Sequence, residues 1–187
     1  MDRPRLGVIV ASTRNGRQGR IVADWFFEQS TSHGKFESEL IDLKDVNLPL
    51  FDEPRHPRFR QYEYDHTKAW SARVERADAF VFVTPEYNNG APPSLVNALD
   101  YLVVEWGYKA VGFISYGGAS AGTRSVQMTK LIATALKMMP IPEAVAIPFF
   151  TKQIENGIFK GGETQDQAAR VMLDELLRWT GALKALR

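Results

Sequence analysis

The residues best suited to chemistry fall in three short stretches rich in glycine, hydroxyls, amides and arginine. The first, Ser12-Thr13-Arg14-Asn15-Gly16-Arg17-Gln18-Gly19-Arg20, reads as a turn feeding the start of a helix. A helix start carries partial positive charge and unpaired N–H groups, so it welcomes an anion and disfavours cations. Arg14, Arg17 and Arg20 crowd it nonetheless, and a bound phosphate, also reached by Ser12, Gln18 and Gly19, resolves the conflict. Solvated arginines are the alternative, since the penalty is only about 0.3–1 kcal/mol per charge at an exposed end. The stretch matches neither GxxxxGK[ST] nor GxGxxG, which turns the reading from nucleoside triphosphates and dinucleotides to a mononucleotide.

The second stretch, Pro85-Glu86-Tyr87-Asn88-Asn89-Gly90-Ala91-Pro92-Pro93, is a rigid turn with one aromatic ring and two amides. It suits the polar edge and face of a planar heterocycle such as isoalloxazine, although turns favour Asn, Gly and Pro in any case. The third, Ser115-Tyr116-Gly117-Gly118, offers backbone without side chains, so a ligand can approach closely and accept amide hydrogen bonds. Such amides would favour a ring system that becomes anionic on reduction. A tight turn is again the alternative.

Gly118-Ala119-Ser120-Ala121-Gly122 fits the GxSxG pattern of a serine hydrolase. That chemistry needs a histidine after the serine, whereas His33, His56 and His66 all precede Ser120. The histidines also lie far apart without i, i+4 pairing, so no metal site is expected and solvated loop positions are. Cysteine is absent, which removes disulfides, thiolate nucleophiles and zinc–thiolate sites, and suits a reducing cytoplasm.

These stretches must be held by a framework, and the apolar pattern supplies one. Leu6 to Ala11, Ala79 to Thr84, Ala110 to Ser115 and Ala144 to Pro148 are continuous apolar runs typical of strands buried on both faces. Phe36 to Asp42 alternates like a strand nearer an edge. Helices are expected around Ile21–Phe26, over Ser94 to Val104, over Thr123 to Met139 with Pro140 and Pro142 as its stop, and from Gln165 to about Leu186. Alternating strands and helices imply an α/β, flavodoxin-like three-layer sandwich: a five-stranded parallel sheet in order 2-1-3-4-5 with helices on both faces. A ligand in such a sheet lies beyond the carboxyl ends of the strands, beside strands 1 and 3, where the three stretches converge.

The 187 residues suffice for one domain spanning the chain, and a net charge of +1 gives no field for nucleic acid or an anionic membrane. The N-terminal Met1-Asp2-Arg3-Pro4-Arg5 lacks the apolar segment of a signal peptide, so a cytoplasmic protein is expected. Leu43 to His66, with three prolines and no period, is a long connection that serves as a lid or partner contact, or is disordered or merely decorative. Leu99, Tyr101, Leu102 and Trp106 offer either an interface or core.

With these residues in view, the chain resembles the NADPH-dependent FMN reductase family, which includes flavin, quinone, azo-dye and chromate reductases. That family's first loop reads approximately G-S-x-R-x-x-S-x-N/S, its second P-E-Y-N, and its third G-G before a small-residue turn. Ser12, Arg14, Pro85, Glu86, Tyr87, Asn88, Gly117 and Gly118 match, and the likeness covers nearly the whole chain. Ala11 departs from the first-loop glycine, while Arg17 and Gly19 stand where hydroxyl or amide side chains are common. Arg17 is expected to replace the lost hydroxyl with a charge-assisted bond. The resemblance implies FMN phosphate on the first loop, ring contacts from the second and third, NADPH or NADH as donor, and a homodimer or homotetramer. The expected activity is ping-pong transfer of hydride from NAD(P)H through FMN to a small-molecule electron acceptor: a quinone, free flavin, azo compound or metal oxyanion. No side chain is expected to act as catalytic acid or base, and Glu86 suits a structural role in its loop equally well. The competing reading is an electron-carrying or regulatory flavin module without turnover.

Overall fold

The structure, a computed structural model, describes residues 3–187, so the Met1-Asp2 part of the N-terminal reading lies outside the described residues. Five parallel strands run in the order β2-β1-β3-β4-β5: β1 Arg5–Val10, β2 Glu37–Asp42, β3 Ala79–Pro85, β4 Ala110–Tyr116 and β5 Met139–Ile147. Period-two alternation divides their side chains between two cores. Val8, Val10, Val81, Val83 and Ile114 face one way, onto α1 (Gly19–His33) and α6 (Glu163–Leu183). Ile9, Phe80, Phe82 and Phe113 face the other way, onto α3 (Asp65–Arg76), α4 (Pro93–Asp100) and α5 (Thr123–Ala135). Both faces are apolar, which is why these strands read as unbroken hydrophobic runs. No helix among the described residues is long and apolar enough to cross a membrane.

Two helix ends expected from the sequence are corrected. Helix α5 stops at Ala135, with Lys137 in the left-handed region at φ 59°, and Pro140 and Pro142 lie inside β5 rather than ending the helix. The Met139 N–H donates inward to the Lys109 carbonyl at 2.9 Å, so position 140 turns its missing N–H outward on an edge strand, and Pro142 falls in the irregular stretch between Pro140 and Ala144 where the register with β4 shifts. Helix α4 ends at Asp100 instead of Val104, and a 3-10 turn follows at Val104–Trp106. Leu99, Tyr101, Leu102 and Trp106 are core, each at most 1% exposed. The indole N–H of Trp106 reaches the Leu99 carbonyl and that of Trp70 the Ala98 carbonyl, so both rings are buried without an unpaired donor.

The 43–66 connection is ordered, with a short helix α2 (Leu43–Val46) and a 3-10 turn at Pro57–Phe59. Asn97 of α4 accepts from the Phe51 N–H and donates to the Pro49 carbonyl, and Glu53 takes the N–H groups of Glu63 and Tyr64. Glu105, 2% exposed, accepts from Tyr62 and Ser71 while the Arg60 guanidinium lies 3.4 Å from the same oxygen. Beyond α5 and β5, a hairpin of β6 (Ile154–Glu155) and β7 (Ile158–Phe159) leads into α6.

At the opposite end of the sheet from the three loops, Lys109 is 5% exposed and donates to the carbonyls of Val74 and Glu75. Burial, helped by nearby Arg187, lowers its pKa to about 8. The folded ammonium thus loses its proton near pH 8 while the unfolded chain keeps it to about pH 10.5. Stability should therefore rise with pH in that window, because the unfolded state binds the extra proton. Relative to Lys109→Met, the wild type should gain on the order of 2 kcal/mol between about pH 8 and about pH 10 in urea denaturation. Parallel pH profiles for the two proteins would refute this.

Candidate functional site

Strands β1, β3 and β4 end side by side, with Pro85 opposite Tyr116 and the Ala11 N–H on the Val83 carbonyl at 3.0 Å. Their outgoing loops enclose a cleft of about 360 Å³. Of the residues expected from the sequence, Ser12, Arg14, Gln18, Pro85, Glu86, Tyr87, Gly117 and Gly118 line it. The cleft falls within the range of small-molecule sites.

The second loop is a two-residue hairpin turn. Tyr87 and Gly90 exchange backbone hydrogen bonds of 3.0 and 2.9 Å across it, and Asn88 and Asn89 take φ values of 49° and 68°. Positive φ at both central residues is the type I′ turn, which Asn tolerates better than other side chains. Asn88 and Asn89 are exposed and shape the turn rather than lining the cleft. The Tyr87 hydroxyl reaches across to the buried Ser12 Oγ at 2.6 Å, joining the second loop to the first. If Tyr87 donates, Ser12 keeps its own proton for a ligand.

Glu86 clamps the second loop to the head of α5. It accepts from the Arg124 Nε at 2.6 Å, the Arg124 backbone N–H at 3.1 Å and Ser120 Oγ at 3.3 Å. Burial works to raise the Glu86 carboxyl, but the Arg124 hydrogen bonds outweigh it and hold the group below the ordinary carboxylate range. Ser120 thus serves a carboxylate, and no histidine among the described residues hydrogen-bonds to it. His33 pairs with Asp174, His66 with Asp52, and His56 accepts from the Arg58 N–H. The expectation of solvated loop histidines fails for His33, whose side chain is only 7% exposed at the end of α1. Among the described residues, no group of three or more His, Cys, Asp or Glu comes together as a metal site.

In the first loop the three arginines part company. Arg17 Nη2 meets the Asp42 carboxylate at 2.5 Å, with side-chain exposures of 13% and 3%, so this ion pair is nearly dry. Its Nε and Nη1 are buried without partners among the described residues. Arg20 turns to Asp24 at 2.8 Å and stands 3.6 Å from Asp42. Arg14 has no carboxylate partner among the described residues and lines the cleft, whereas Arg17 and Arg20 do not. Gly19 owes its identity to a close approach: a Cβ there would lie 2.1 Å from the Tyr116 hydroxyl. Ser115 is 2% exposed, inside β4, and lies outside the cleft lining.

Four further residues line the cleft: Tyr116, Phe149, Phe150 and Thr151. Burial, with Tyr87 nearby, raises the Tyr116 phenol well above its ordinary range, so it stays protonated at neutral pH. Phe149 to Thr151 follow the fifth strand, and the rule that ligands gather at the carboxyl ends of strands applies to that loop as well.

Known proteins resemble this chain in sequence and in fold. Residues 4–152 match the family model described as NADPH-dependent FMN reductase. The chain is 39% identical over 157 residues to an NAD(P)H-dependent FMN reductase of Schizosaccharomyces pombe, covering 83% of this chain and 78% of that protein. It is 30% identical over 145 residues to an NADPH azoreductase of a Bacillus species, covering 76% of each. Among solved structures, FerB, a flavoenzyme NAD(P)H:(acceptor) oxidoreductase from Paracoccus denitrificans, shares the fold. Its TM-score is 0.76 at 17% identity, over 96% of this chain and 98% of that one.

Proposed function

This chain belongs to the NADPH-dependent FMN reductase family, and on that premise we propose that its cleft holds FMN and passes reducing equivalents from NAD(P)H to a small-molecule acceptor. The observation that carries this reading is the juxtaposition of Arg14, free of any carboxylate among the described residues, with Ser12, Gln18, Tyr87, Gly117 and Gly118 around one cleft.

The residues fit the group. Ser12, Arg14 and Gln18 grip the phosphate, and the two unpartnered nitrogens of Arg17 add positive charge beside them. Pro85 to Tyr87 and the bare backbone of Gly117 and Gly118 flank the ring, with Asn88 and Asn89 fixing the turn. Gly19 makes room for Tyr116, and Glu86 locks the second loop to α5. FMN, when bound, would supply the redox chemistry for ping-pong transfer of hydride equivalents from NAD(P)H to a quinone, free flavin, azo compound or metal oxyanion. The side chains bind, orient and exclude water, and none is assigned a proton transfer. The whole chain acts as one FMN-binding unit and assembles as a homodimer or homotetramer.

The test is the visible spectrum of the purified protein loaded with FMN. Flavin bands that bleach anaerobically on addition of NADPH, with steady NADPH oxidation once a quinone is added, are the expected result. Bleaching without turnover would make the protein an electron carrier, and no bound flavin would overturn the reading. Ser120→Ala should leave NADPH oxidation unchanged and a fluorophosphonate probe should not label the wild type; stoichiometric labelling would restore the hydrolase reading.

A further inference from the structure

The residue that stands out among the cleft walls is Phe149. Its backbone sits at φ 46°, ψ 38°, in the left-handed region that bulky L residues rarely adopt. The residue is 51% exposed and belongs to neither core. The next residue behaves in the ordinary way, since Phe150 packs edge-on against Tyr116 with centroids 4.9 Å apart. The conformation of Phe149 is imposed by the third loop: its N–H donates to the Gly118 carbonyl at 3.2 Å, and the Phe150 N–H to the Gly117 carbonyl at 3.4 Å. Phe149 lines the same cleft as Gly117 and Gly118. Lys152, whose N–H returns to the Phe149 carbonyl at 2.9 Å, holds its ammonium 5.2 Å from the ring centroid.

A left-handed backbone and a half-exposed phenylalanine are two unfavourable features at one residue, held by the backbone hydrogen bonds to the third loop and by the Lys152 ammonium over one face of the ring. Strain of this kind persists where the surrounding structure enforces it, and it clusters at sites that meet ligands. A phenyl face at the mouth of a cleft attracts another flat ring, and an ammonium beside it favours a ring bearing negative charge.

We propose that Phe149, with Lys152 beside it, is the platform on which the flat ring of the electron acceptor is seated. Such a platform selects aromatic acceptors, quinones and azo compounds, over non-planar inorganic ones, and favours acceptors that are anionic or gain negative charge on reduction. Neither side chain makes or breaks a bond. This inference rests on the FMN reductase reading of the cleft.

The experiment uses the FMN-loaded protein, with a redox-inert probe and two acceptors. Calorimetric titration with 2-naphthoate should give a Kd about tenfold weaker in Phe149→Ala. With FMN kept saturating for each variant, the KM for a 1,4-naphthoquinone should rise by a similar factor relative to the KM for ferricyanide. Lys152→Gln should weaken 2-naphthoate without weakening uncharged 2-naphthol. Phe149→Gly, which removes the backbone strain, should melt no lower than Phe149→Ala and reproduce its kinetics, so loss of folding cannot mimic the effect. Naphthoate binding that survives Phe149→Ala, or quinone and ferricyanide KM values that rise together, would overturn the platform alone. A wild type that neither retains FMN nor oxidises NADPH would overturn the platform together with the reading beneath it.

Discussion

Replacing Arg14 with Ala should weaken FMN binding by roughly 10- to 100-fold, since a hydrogen bond to a charged group contributes about 1.5–3 kcal/mol. Arg14 is the first-loop guanidinium that lines the cleft, while Arg17 and Arg20 are engaged by Asp42 and Asp24. It is exposed, and its intramolecular hydrogen bond is a long one of 3.4 Å to the Asn15 carbonyl, so folding stability should not change. Quenching of flavin fluorescence measures the affinity, and riboflavin, which lacks the phosphate, is the control. If riboflavin binding falls as far as FMN binding, Arg14 touches the ring and not the phosphate.

Arg17→Ala should show the opposite balance. Removing Arg17 leaves the Asp42 carboxylate, 3% exposed, without its 2.5 Å partner. Breaking a buried pair on one side costs about 3–5 kcal/mol, and the lower end is expected because Arg20 at 3.6 Å and the Lys44 N–H at 3.0 Å still face Asp42. Urea denaturation of the apoprotein reads the loss directly. FMN affinity of the folded variant should fall less than in Arg14→Ala, since one Arg17 nitrogen is already committed to Asp42. A larger fall than in Arg14→Ala would make Arg17 the principal grip on the phosphate, as its departure from the family's first-loop pattern suggests.

The two arginines also mark how far local sequence carries a reading. Both stand in a loop recognisable from the strand before it, yet Arg17 is fixed by a carboxylate 25 positions away at the end of β2, which no spacing within the loop reveals. The strands were legible because a parallel sheet covered on both faces leaves long apolar runs. Helix α3 was not, although the residues it buries, Thr67, Trp70, Ser71 and Val74, recur at helical spacing, because only two of them are apolar and the helix as a whole is polar. Its hydroxyl Ser71 is there to meet Glu105, a contact made only in three dimensions. The second loop was read correctly as a rigid turn, but its asparagines do backbone work through their positive φ, with their side chains exposed. Phe149 was invisible for a different reason, since nothing in the sequence signals that a phenylalanine will be held in a left-handed conformation by a neighbouring loop.

The prolines of β5 have one more effect, on the unpaired rim of the sheet. An edge strand normally offers a row of free donors to any extended chain that drifts past, and so can template aggregation. Pro140 removes a donor from the outward side of that rim and Pro142 offers none in the irregular stretch beside it, while Glu37 and Glu39 put charge on β2 at the far side. Neither border of the sheet is therefore an easy place for a stray polypeptide to zip on, which guards the chain while it is crowded or only partly folded.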